Sequence, residues 1–581
     1  MDFTARTLLL SRDRISGSEI LLRTLLLEGV ECVFGYPGGA VLYIYDAMHG
    51  NPAFKHVLTR HEQGAIHAAD GYARSTGRTG VCLATSGPGA TNLITGIATA
   101  HMDSTPLVVI TGNVATTLLG TDAFQEADIV GMTQPITKHS YMVRKVEDLA
   151  RILREAFYLA NSGRKGPVLV DIPKDVSAAV TEFIYPEQIA VRGYTEHPVM
   201  DPAQVRKLSA AIRHATKPLI LAGAGVIHAN AAQPLAELAH RWRIPVVTSL
   251  LGIGSFPTDD PLALGMAGMH GTYAANHALL ECDLLIGIGV RFDDRVTMRL
   301  DGFAPKARVA HIDIDAAEVS KLVPASIPVV GDALTVLTEL LGDLQVSASD
   351  SQPQSHRTQA WFKELEHMRE LHPLWYYDNG PGLKPQYVIE LIASSSGGDD
   401  IITTDVGQHQ MWTALYGRFN RPRTLITSGG LGTMGFGFPS AIGAQIGNPD
   451  RTVISINGDG GMQMCAQELA VCAIHRIPVK IAVINNGTLG MIKQWQELVY
   501  NGRHSHIDLS GSPDFVKLAE AYGVKGLRAD NKADAERVWR EALQTPGPVL
   551  VDFIVDRDEL VYPMVPQGQA LQDMITGGEN K

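Results

Sequence analysis

Residues 453–488 read VISINGDGGMQMCAQELAVCAIHRIPVKIAVINNGT, and their pattern decides the fold class. Two apolar runs, Val453–Ile456 and Ile481–Ile484, each stop at a turn of small and polar residues. Gly458-Asp459-Gly460 follows the first run, and Asn485-Asn486 follows the second, 26 residues beyond the Asp. Continuous Val/Ile runs bounded in this way predict parallel strands covered by helices on both faces. In an open parallel sheet, ligands bind outside the carboxyl ends of the strands, where both turns stand. A carboxylate and an amide oxygen there are hard ligands suited to Mg²⁺. A diphosphate would complete the ion's shell, the glycines let backbone N–H groups approach phosphate oxygens, and the following helix points its positive end at them. Gly458-Asp459-Gly460 alone reads more often as an ordinary strand-end turn; the Asn pair at this spacing is what favours a diphosphate and a metal.

Outward from this stretch the same grammar repeats. Apolar runs at Val81–Thr85, Leu107–Thr111, Val168–Ile172, Leu219–Ala222, Leu284–Ile288, Val309–Ile312, Ile401–Thr404 and Val549–Ile554 alternate with helical stretches. Ser16-Gly17-Ser18-Glu19 before Ile20, Leu21 and Leu22 is a capping-box pattern that opens an amphipathic helix. Glu182–Pro202, with three Pro, and the polar stretch 345–357 read as linkers. The expectation is an α/β protein of three doubly wound parallel-sheet domains at 1–190, 200–344 and 370–560, with a tail over 561–581.

Composition narrows the function. The chain has 581 residues, 45% hydrophobic and 19% charged, which excludes wholesale disorder. Lys and Arg total 49 against 61 Asp and Glu, a net charge of −12 that opposes a main task of gripping nucleic acid or anionic lipid. No apolar run reaches the ~18 residues of a membrane helix, and Met1–Arg14 lacks the pattern of a signal peptide. Five Cys without a CxxC pair fit a reducing compartment. A cytoplasmic protein free of nucleic acid and membrane is expected.

Gly458-Asp459-Gly460 with Asn485-Asn486 resembles the signature of thiamin diphosphate (ThDP) enzymes, and Arg60-His61-Glu62-Gln63-Gly64-Ala65 resembles the segment carrying that family's activating glutamate. Tyr36-Pro37-Gly38-Gly39-Ala40, Ser86-Gly87-Pro88-Gly89-Ala90, Ala123-Phe124-Gln125-Glu126, Arg291-Phe292-Asp293-Asp294-Arg295 and Gln494-Trp495-Gln496 resemble one branch, the catalytic subunits of acetohydroxyacid synthase (acetolactate synthase). The resemblance runs from about 15 to 566 in the expected order. It implies decarboxylation of pyruvate and transfer of the two-carbon unit to pyruvate or 2-oxobutyrate, in branched-chain amino-acid synthesis.

The resemblance also implies the site. Glu62 would hydrogen-bond the aminopyrimidine ring and favour the tautomer that activates the cofactor. An isolated Glu is otherwise a solvated or helix-capping residue. Pro37 and Gly38 would contact the cofactor, and Gly39, Phe124 and Gln125 would line the reacting centre. Val406, Gly407, Gln408, His409, Gly458, Gly460 and Gly461 would surround the diphosphate. Asp459, Asn486 and the main-chain oxygen of Thr488 would bind Mg²⁺. Gly432 and Met434 would hold the aminopyrimidine, although a Met in a Gly-rich turn also fills cores. A non-redox FAD would lie against Gly223, Ala224, Gly225, Ser249, Leu250, Met269, His270, Arg291, Asp293, Arg295, Asp313, Ile314 and Asp332. The family often carries Arg where this chain has Gln134. Arg295 and Lys174 are candidate cations for a 2-ketoacid carboxylate, or surface cations. Trp495 shares a helical face with Met491 and would favour 2-oxobutyrate as acceptor, or be a core Trp. A homodimer or homotetramer with a small regulatory subunit is implied. The alternative is a ThDP/FAD oxidoreductase of the pyruvate oxidase type, which the Phe292–Arg295 and Trp495 segments oppose. A non-catalytic nucleotide-binding regulator is opposed by the intact Glu62, Asp459 and Asn486.

Overall fold

The computed structural model describes residues 9–196, 198–346, 357–378, 380 and 382–577. Its frame is three six-stranded sheets, and among the described residues every strand pairing within them is parallel, as at Ile456↔Ala482, Ile286↔Ala310 and Val109↔Leu169. The first sheet holds Cys32–Gly35, Lys55–Leu58, Gly80–Ala84, Leu107–Asn113, His139–Met142 and Pro167–Pro173. Counted along the chain, its strands lie side by side in the order 2-1-3-4-6-5. The third sheet holds Ile401–Thr404, Leu425–Thr427, Val453–Gly458, Lys480–Asn485, Lys525–Ala529 and Val549–Ile554, in the same order 2-1-3-4-6-5. The middle sheet differs. Its strands, Pro218–Ala222, Val246–Thr248, Ala263–Met266, Leu284–Ile288, Arg308–Asp313 and Ile327–Val330, run 3-2-1-4-5-6, the order of dinucleotide-binding sheets. The outer sheets thus share a topology that the middle one lacks.

The expected capping box is formed. Ser16 Oγ accepts from the Glu19 amide, the Glu19 carboxylate accepts from the Ser16 amide, and the helix runs Gly17–Leu27. Residues 183–201 carry neither helix nor strand where they are described. Most of the second expected linker, 347–356, lies outside the described residues, as do residues 1–8 at the start and 578–581 at the end. The helix Gln359–Leu371 beyond that linker packs on the middle sheet: Trp361 is buried and its indole N–H donates to the Pro218 carbonyl at 3.1 Å. The tail also returns there, burying Val565 and Leu571 in the same core cluster as Trp361. No helix among the described residues is long and apolar enough to cross a membrane.

The first and third sheets meet through two helices, Glu62–Thr76 and Gly437–Gly447. Their backbones touch because both carry glycine at the crossing. A Cβ on Gly71 would overlap the Ser440 carbonyl, and one on Gly443 would overlap that of Ala68. A buried charge cluster locks the same joint. Arg74 binds Asp70 and, at 3.0 Å, Asp103, and donates to the Thr427 carbonyl at 2.9 Å. Asp103 in turn accepts from the amides of Gly429 at 3.1 Å and Gly430 at 2.7 Å.

Candidate functional site

One continuous cavity of about 730 Å³ runs from the strand ends of the third sheet along those of the middle sheet. At one end the strand Val453–Gly458 stops and Asp459 opens the next helix. Asp459 is buried, and its Oδ2 has no hydrogen-bond partner. Burial pushes its carboxyl up to about 7. An unpartnered buried carboxylate oxygen is costly unless a cation joins it. The strand Lys480–Asn485 ends beside it, and Asn486 and Thr488 line the same wall. Asn485 braces this turn rather than facing the cavity: its amide donates to Asp552 at 2.9 Å, and its Oδ1 accepts from the Gly487 amide at 3.2 Å. Among the described residues no three His, Cys, Asp or Glu gather to hold a metal, so a cation here would take its remaining ligands from amide and main-chain oxygens, the donor set of Mg²⁺.

His409 sits in the first turn of the helix Gln408–Tyr416, behind Gly407. Its ring fits between Gly407 and Gly458; a Cβ on either would stand 3.0 Å from it. Burial holds its pKa down to about 4, and its Nε2 is without a partner. A neutral imidazole with a free ring nitrogen beside a helix N-terminus suits a phosphate oxygen. Val406, Gly407, Gln408, Gly458, Gly460 and Gly461 all line this end of the cavity. Gly461 is required: a Cβ there would strike the Asp405 carboxylate.

The segment carrying Gly432 and Met434 closes one side, and both residues line the cavity. It is gripped from two directions. Asp405 accepts from the Gly435 amide at 2.9 Å and from the Gly437 amide at 3.0 Å, while Asp103 holds Gly429 and Gly430 as described above. Met491 and Trp495, on the helix Gly490–Val499, also line the cavity, and Trp495 packs against the core cluster that holds Met269 and Val565.

Along the middle sheet the cavity is walled by Ala224, Gly225, Ser249, Leu250, Met269, His270, Arg291, Asp293, Arg295, Asp313, Ile314 and Asp332. Gly223 does not line it; it packs under the fourth strand's turn, where a Cβ would overlap the Gly289 carbonyl. Gly225 and Gly289 (φ +57°) lie back to back, and a Cβ on Gly225 would stand 2.5 Å from the Gly289 Cα. Glycine at this turn leaves room along the strand ends for an elongated ligand. Asp313 is buried, and its carboxyl is pushed up to about 6 by that burial. Asp293 caps the short helix Asp294–Thr297, accepting from the amides of Arg295 at 3.1 Å and Val296 at 3.2 Å.

The remaining expected residues stand apart. Glu62 begins its helix; one carboxylate oxygen accepts from the Asn92 amide at 2.9 Å, and the other lies 3.3 Å from where a Cβ on Gly89 would stand. Gly38 packs on Thr85, whose hydroxyl accepts from the Ala40 amide at 3.2 Å. Gly87 packs on Gln125. Pro37, Gly39 and Lys174 are exposed, and Phe124 is 89% exposed. None of Pro37, Gly38, Gly39, Glu62, Phe124, Gln125 and Lys174 lines the cavity of the same chain.

Sequence reasoning missed several residues. Arg164 and Lys165 line the far end of the cavity. Arg164 bridges Ser104 at 3.1 Å, Asp315 at 3.1 Å and Glu318 at 2.8 Å, whereas Gln134 is exposed and lies off the cavity. Glu468, fully buried, accepts twice from the Arg60 amide at 3.1 Å and so braces the turn into Glu62; burial raises its carboxyl to about 7. No local signal marks these residues, because each acts on a segment distant in sequence.

Three family models match the chain in order: the N-terminal TPP binding domain of thiamine pyrophosphate enzymes over residues 15–132, their central domain over 205–340 and their C-terminal TPP binding domain over 405–553. The chain is 47% identical over 565 residues to the acetolactate synthase large subunit of Haemophilus influenzae, spanning 97% of this chain and 98% of that one. It is 47% identical to the acetolactate synthase isozyme 3 large subunit of Escherichia coli, over 97% of this chain and 98% of that one. It is likewise 47% identical to the probable acetolactate synthase large subunit of Methanocaldococcus jannaschii, over 97% of this chain and 95% of that one.

Proposed function

The chain belongs to the thiamine pyrophosphate enzyme family, and from that premise we propose that it is the catalytic subunit of an acetolactate synthase, which decarboxylates pyruvate and joins the two-carbon unit to a second 2-ketoacid in branched-chain amino-acid synthesis. The observation that carries the site is Asp459: a buried carboxylate with one oxygen unpartnered, at a glycine-lined strand end that opens into a large cavity. ThDP, once bound, supplies the carbon nucleophile and the sink for the electrons released with CO₂. The side chains of Asp459 and Asn486 and the main-chain oxygen of Thr488 would hold Mg²⁺, and His409 Nε2 would donate to a phosphate oxygen. Gly432 and Met434 would hold the aminopyrimidine. Glu62 from a second copy would complete the site, its carboxylate accepting a hydrogen bond from that ring. The position of Glu62 outside the cavity of its own chain and the bare Phe124 ring support such a homodimer, or a homotetramer built from it.

Arg295 offers a planar fork to a 2-ketoacid carboxylate, with Lys174 as a second cation at the entrance. Gly39, Phe124 and Gln125 would close the centre against water. Trp495 would form the wall that meets the acceptor's extra methyl group, together with Met491. FAD would lie along the middle sheet from Arg291 and Arg295 to Asp313 and Asp332. Neither decarboxylation nor carboligation changes net oxidation state, so its role would be structural. The division at 1–190, 200–344 and 370–560, with a tail over 561–581, is kept as the working domain assignment. Three relatives are named large subunits, which supports a smaller companion subunit here. The net charge of −12 supports a reading without nucleic acid, and the proposed biosynthetic activity fits a cytoplasmic enzyme.

The test is incubation with pyruvate, ThDP and Mg²⁺, with and without FAD and 2-oxobutyrate, identifying products directly. Acetolactate is expected from pyruvate alone and 2-aceto-2-hydroxybutyrate from the mixture. Oxygen uptake or flavin bleaching outpacing acetolactate would instead mark an oxidase. In the same competition Trp495→Leu should lower the 2-oxobutyrate share, by the ~1–3 kcal/mol that one methylene is worth in an apolar pocket.

Asp459 sets a pH dependence. Its carboxyl titrates at about 7 without a cation, and only the ionised form binds one. Protons compete below that point, so the half-saturating Mg²⁺ should rise by about tenfold per pH unit on the acid side and level off on the alkaline side. Mg²⁺ titrations at fixed ThDP across that range read the slope directly, and a flat acid limb would contradict the assignment.

A further inference from the structure

Gln494 lies beside Trp495 but points the other way. It is fully buried, and its side chain meets the segment that follows the last strand of the third sheet. Its Oε1 accepts from the Gln408 amide at 3.0 Å and from the Val561 main-chain N–H at 2.9 Å. Its Nε2 donates to the Val561 carbonyl at 3.0 Å and contacts the Met564 sulfur at 3.1 Å. Gln408 passes the connection on: its Nε2 also donates to the Glu559 carbonyl at 3.1 Å, and its Oε1 accepts from Asn486 Nδ2 at 3.3 Å. At the other end the segment props the cavity wall. The Val565 N–H donates to the Met269 carbonyl at 2.7 Å, and His270 Nδ1 lies 3.3 Å from the Pro563 carbonyl.

The polarity of this chain is set at one end. Val561 offers Gln494 both a backbone N–H and a backbone C=O, so the Gln494 amide has one orientation. Its oxygen then demands the NH₂ of Gln408, which turns the Gln408 oxygen toward the NH₂ of Asn486. The Asn486 oxygen then lies on the cation side of the turn, where it accepts from the Thr488 main-chain N–H at 3.2 Å and keeps a second lone pair. Gln494 is fully buried, so no water substitutes for a partner lost there, and its links are worth more than exposed ones.

We propose that Gln494 is a positioning residue that ties the cation turn at Asn486 to the segment 556–566, so that binding of a divalent cation with a diphosphate steadies the cavity wall at Met269 and His270. The proposal rests on the ThDP and Mg²⁺ reading above.

The test uses the full chain and two variants. Mg²⁺-dependent ThDP binding is measured by calorimetry, and amide hydrogen exchange is followed in 556–566 with and without both ligands. In the unmodified chain the ligands should slow exchange in that segment. Gln494→Leu frees the Gln408 amide to turn over; half-saturating Mg²⁺ should rise by about tenfold, the scale of a buried amide left without its partner, and exchange in 556–566 should stop responding to the ligands. Gln494→Glu keeps the acceptor for Gln408 and Val561 but loses the donor; its Mg²⁺ dependence should stay within about twofold of the parent while 556–566 exchanges faster. A residue that merely fills space would not separate these two readouts. The proposal is overturned if Gln494→Leu binds Mg²⁺ and ThDP as the parent does, or if Gln494→Glu weakens Mg²⁺ as much as Gln494→Leu. Should Gln494→Leu fail to fold, Gln494→Met, which keeps the length of the side chain but offers no amide, takes its place with the same expected and the same overturning result. If the unmodified chain shows no Mg²⁺-dependent ThDP binding, the cofactor reading itself falls, and this inference with it.

Discussion

Glu62→Ala is expected to lower acetolactate formation by about 10²–10⁴-fold, the range over which a positioned acid or base contributes, while leaving the fold intact. The structure gives the reason for both halves. Glu62 is the first residue of its helix, and its carboxylate makes one side-chain hydrogen bond, from Asn92 at 2.9 Å. Losing that bond and the favourable end of the helix dipole costs about 1–2 kcal/mol together. The helix itself is held elsewhere, by its glycine contact with Gly437–Gly447 and by the Arg74 cluster. Activity should therefore fall far more than stability. Glu62→Gln sharpens the result, because it keeps an oxygen for Asn92 but removes the charge. If Glu62→Gln retained most of the activity, shape and not an ionised carboxylate would be what the site needs. Wild-type turnover in Glu62→Ala would remove this residue from the reaction altogether.

The ten strands legible in the sequence are all interior to their sheets, and that is why they were legible. Val81–Thr85, Leu284–Ile288 and Ile481–Ile484 are covered on both faces, so nothing interrupts their apolar runs. All six edge strands of the three large sheets were missed: Lys55–Leu58, His139–Met142, Ala263–Met266, Ile327–Val330, Leu425–Thr427 and Lys525–Ala529. An edge is half solvated, and its residues are mixed, as in the exposed or half-buried HSYM of His139–Met142. The interior strands Cys32–Gly35 and Val246–Thr248 were missed for another reason: neither carries four consecutive β-branched residues, as the short Ile401–Thr404 does. The candidate site divides along similar lines. Its strand-end turns carry chemistry in consecutive residues, and so Asp459, Asn486, His409 and Arg291 stand out. Asp103, Arg164, Glu468 and Gln494 work on partners more than 60 residues away, such as Gly430 for Asp103 and Arg60 for Glu468. Only the fold brings those partners within reach.

Arg74→Met is the substitution expected to damage the fold most. Arg74 lies between Asp70 and Asp103, whose side chains are both fully buried, and its guanidinium stands 5.2 Å over the Phe436 ring. Methionine matches much of the volume but leaves two carboxylates without a cation. Breaking a buried pair from one side costs about 3–5 kcal/mol, enough to lower the thermal transition by roughly 10 °C for a domain of this size. The control is Arg78→Met. Arg78 pairs with Glu31 at 2.8 Å, but the two side chains are 43% and 71% exposed, and such a pair is worth less than about 1 kcal/mol. The pH dependence identifies the cause. Burial raises the Asp70 carboxyl above its ordinary range even with Arg74 beside it, and removing Arg74 raises it further. A carboxyl raised in the folded state favours folding at acidic pH and opposes it as pH climbs. The deficit of Arg74→Met should therefore shrink toward the acid side and widen through neutrality, while any deficit of Arg78→Met stays small throughout. Asp103 also grips Gly429 and Gly430, next to the residues that would hold the aminopyrimidine. A destabilised Asp103 should accordingly weaken ThDP binding at temperatures where the variant is still folded. A variant that melted like the parent at neutral pH would show that the cluster carries no net weight in this joint.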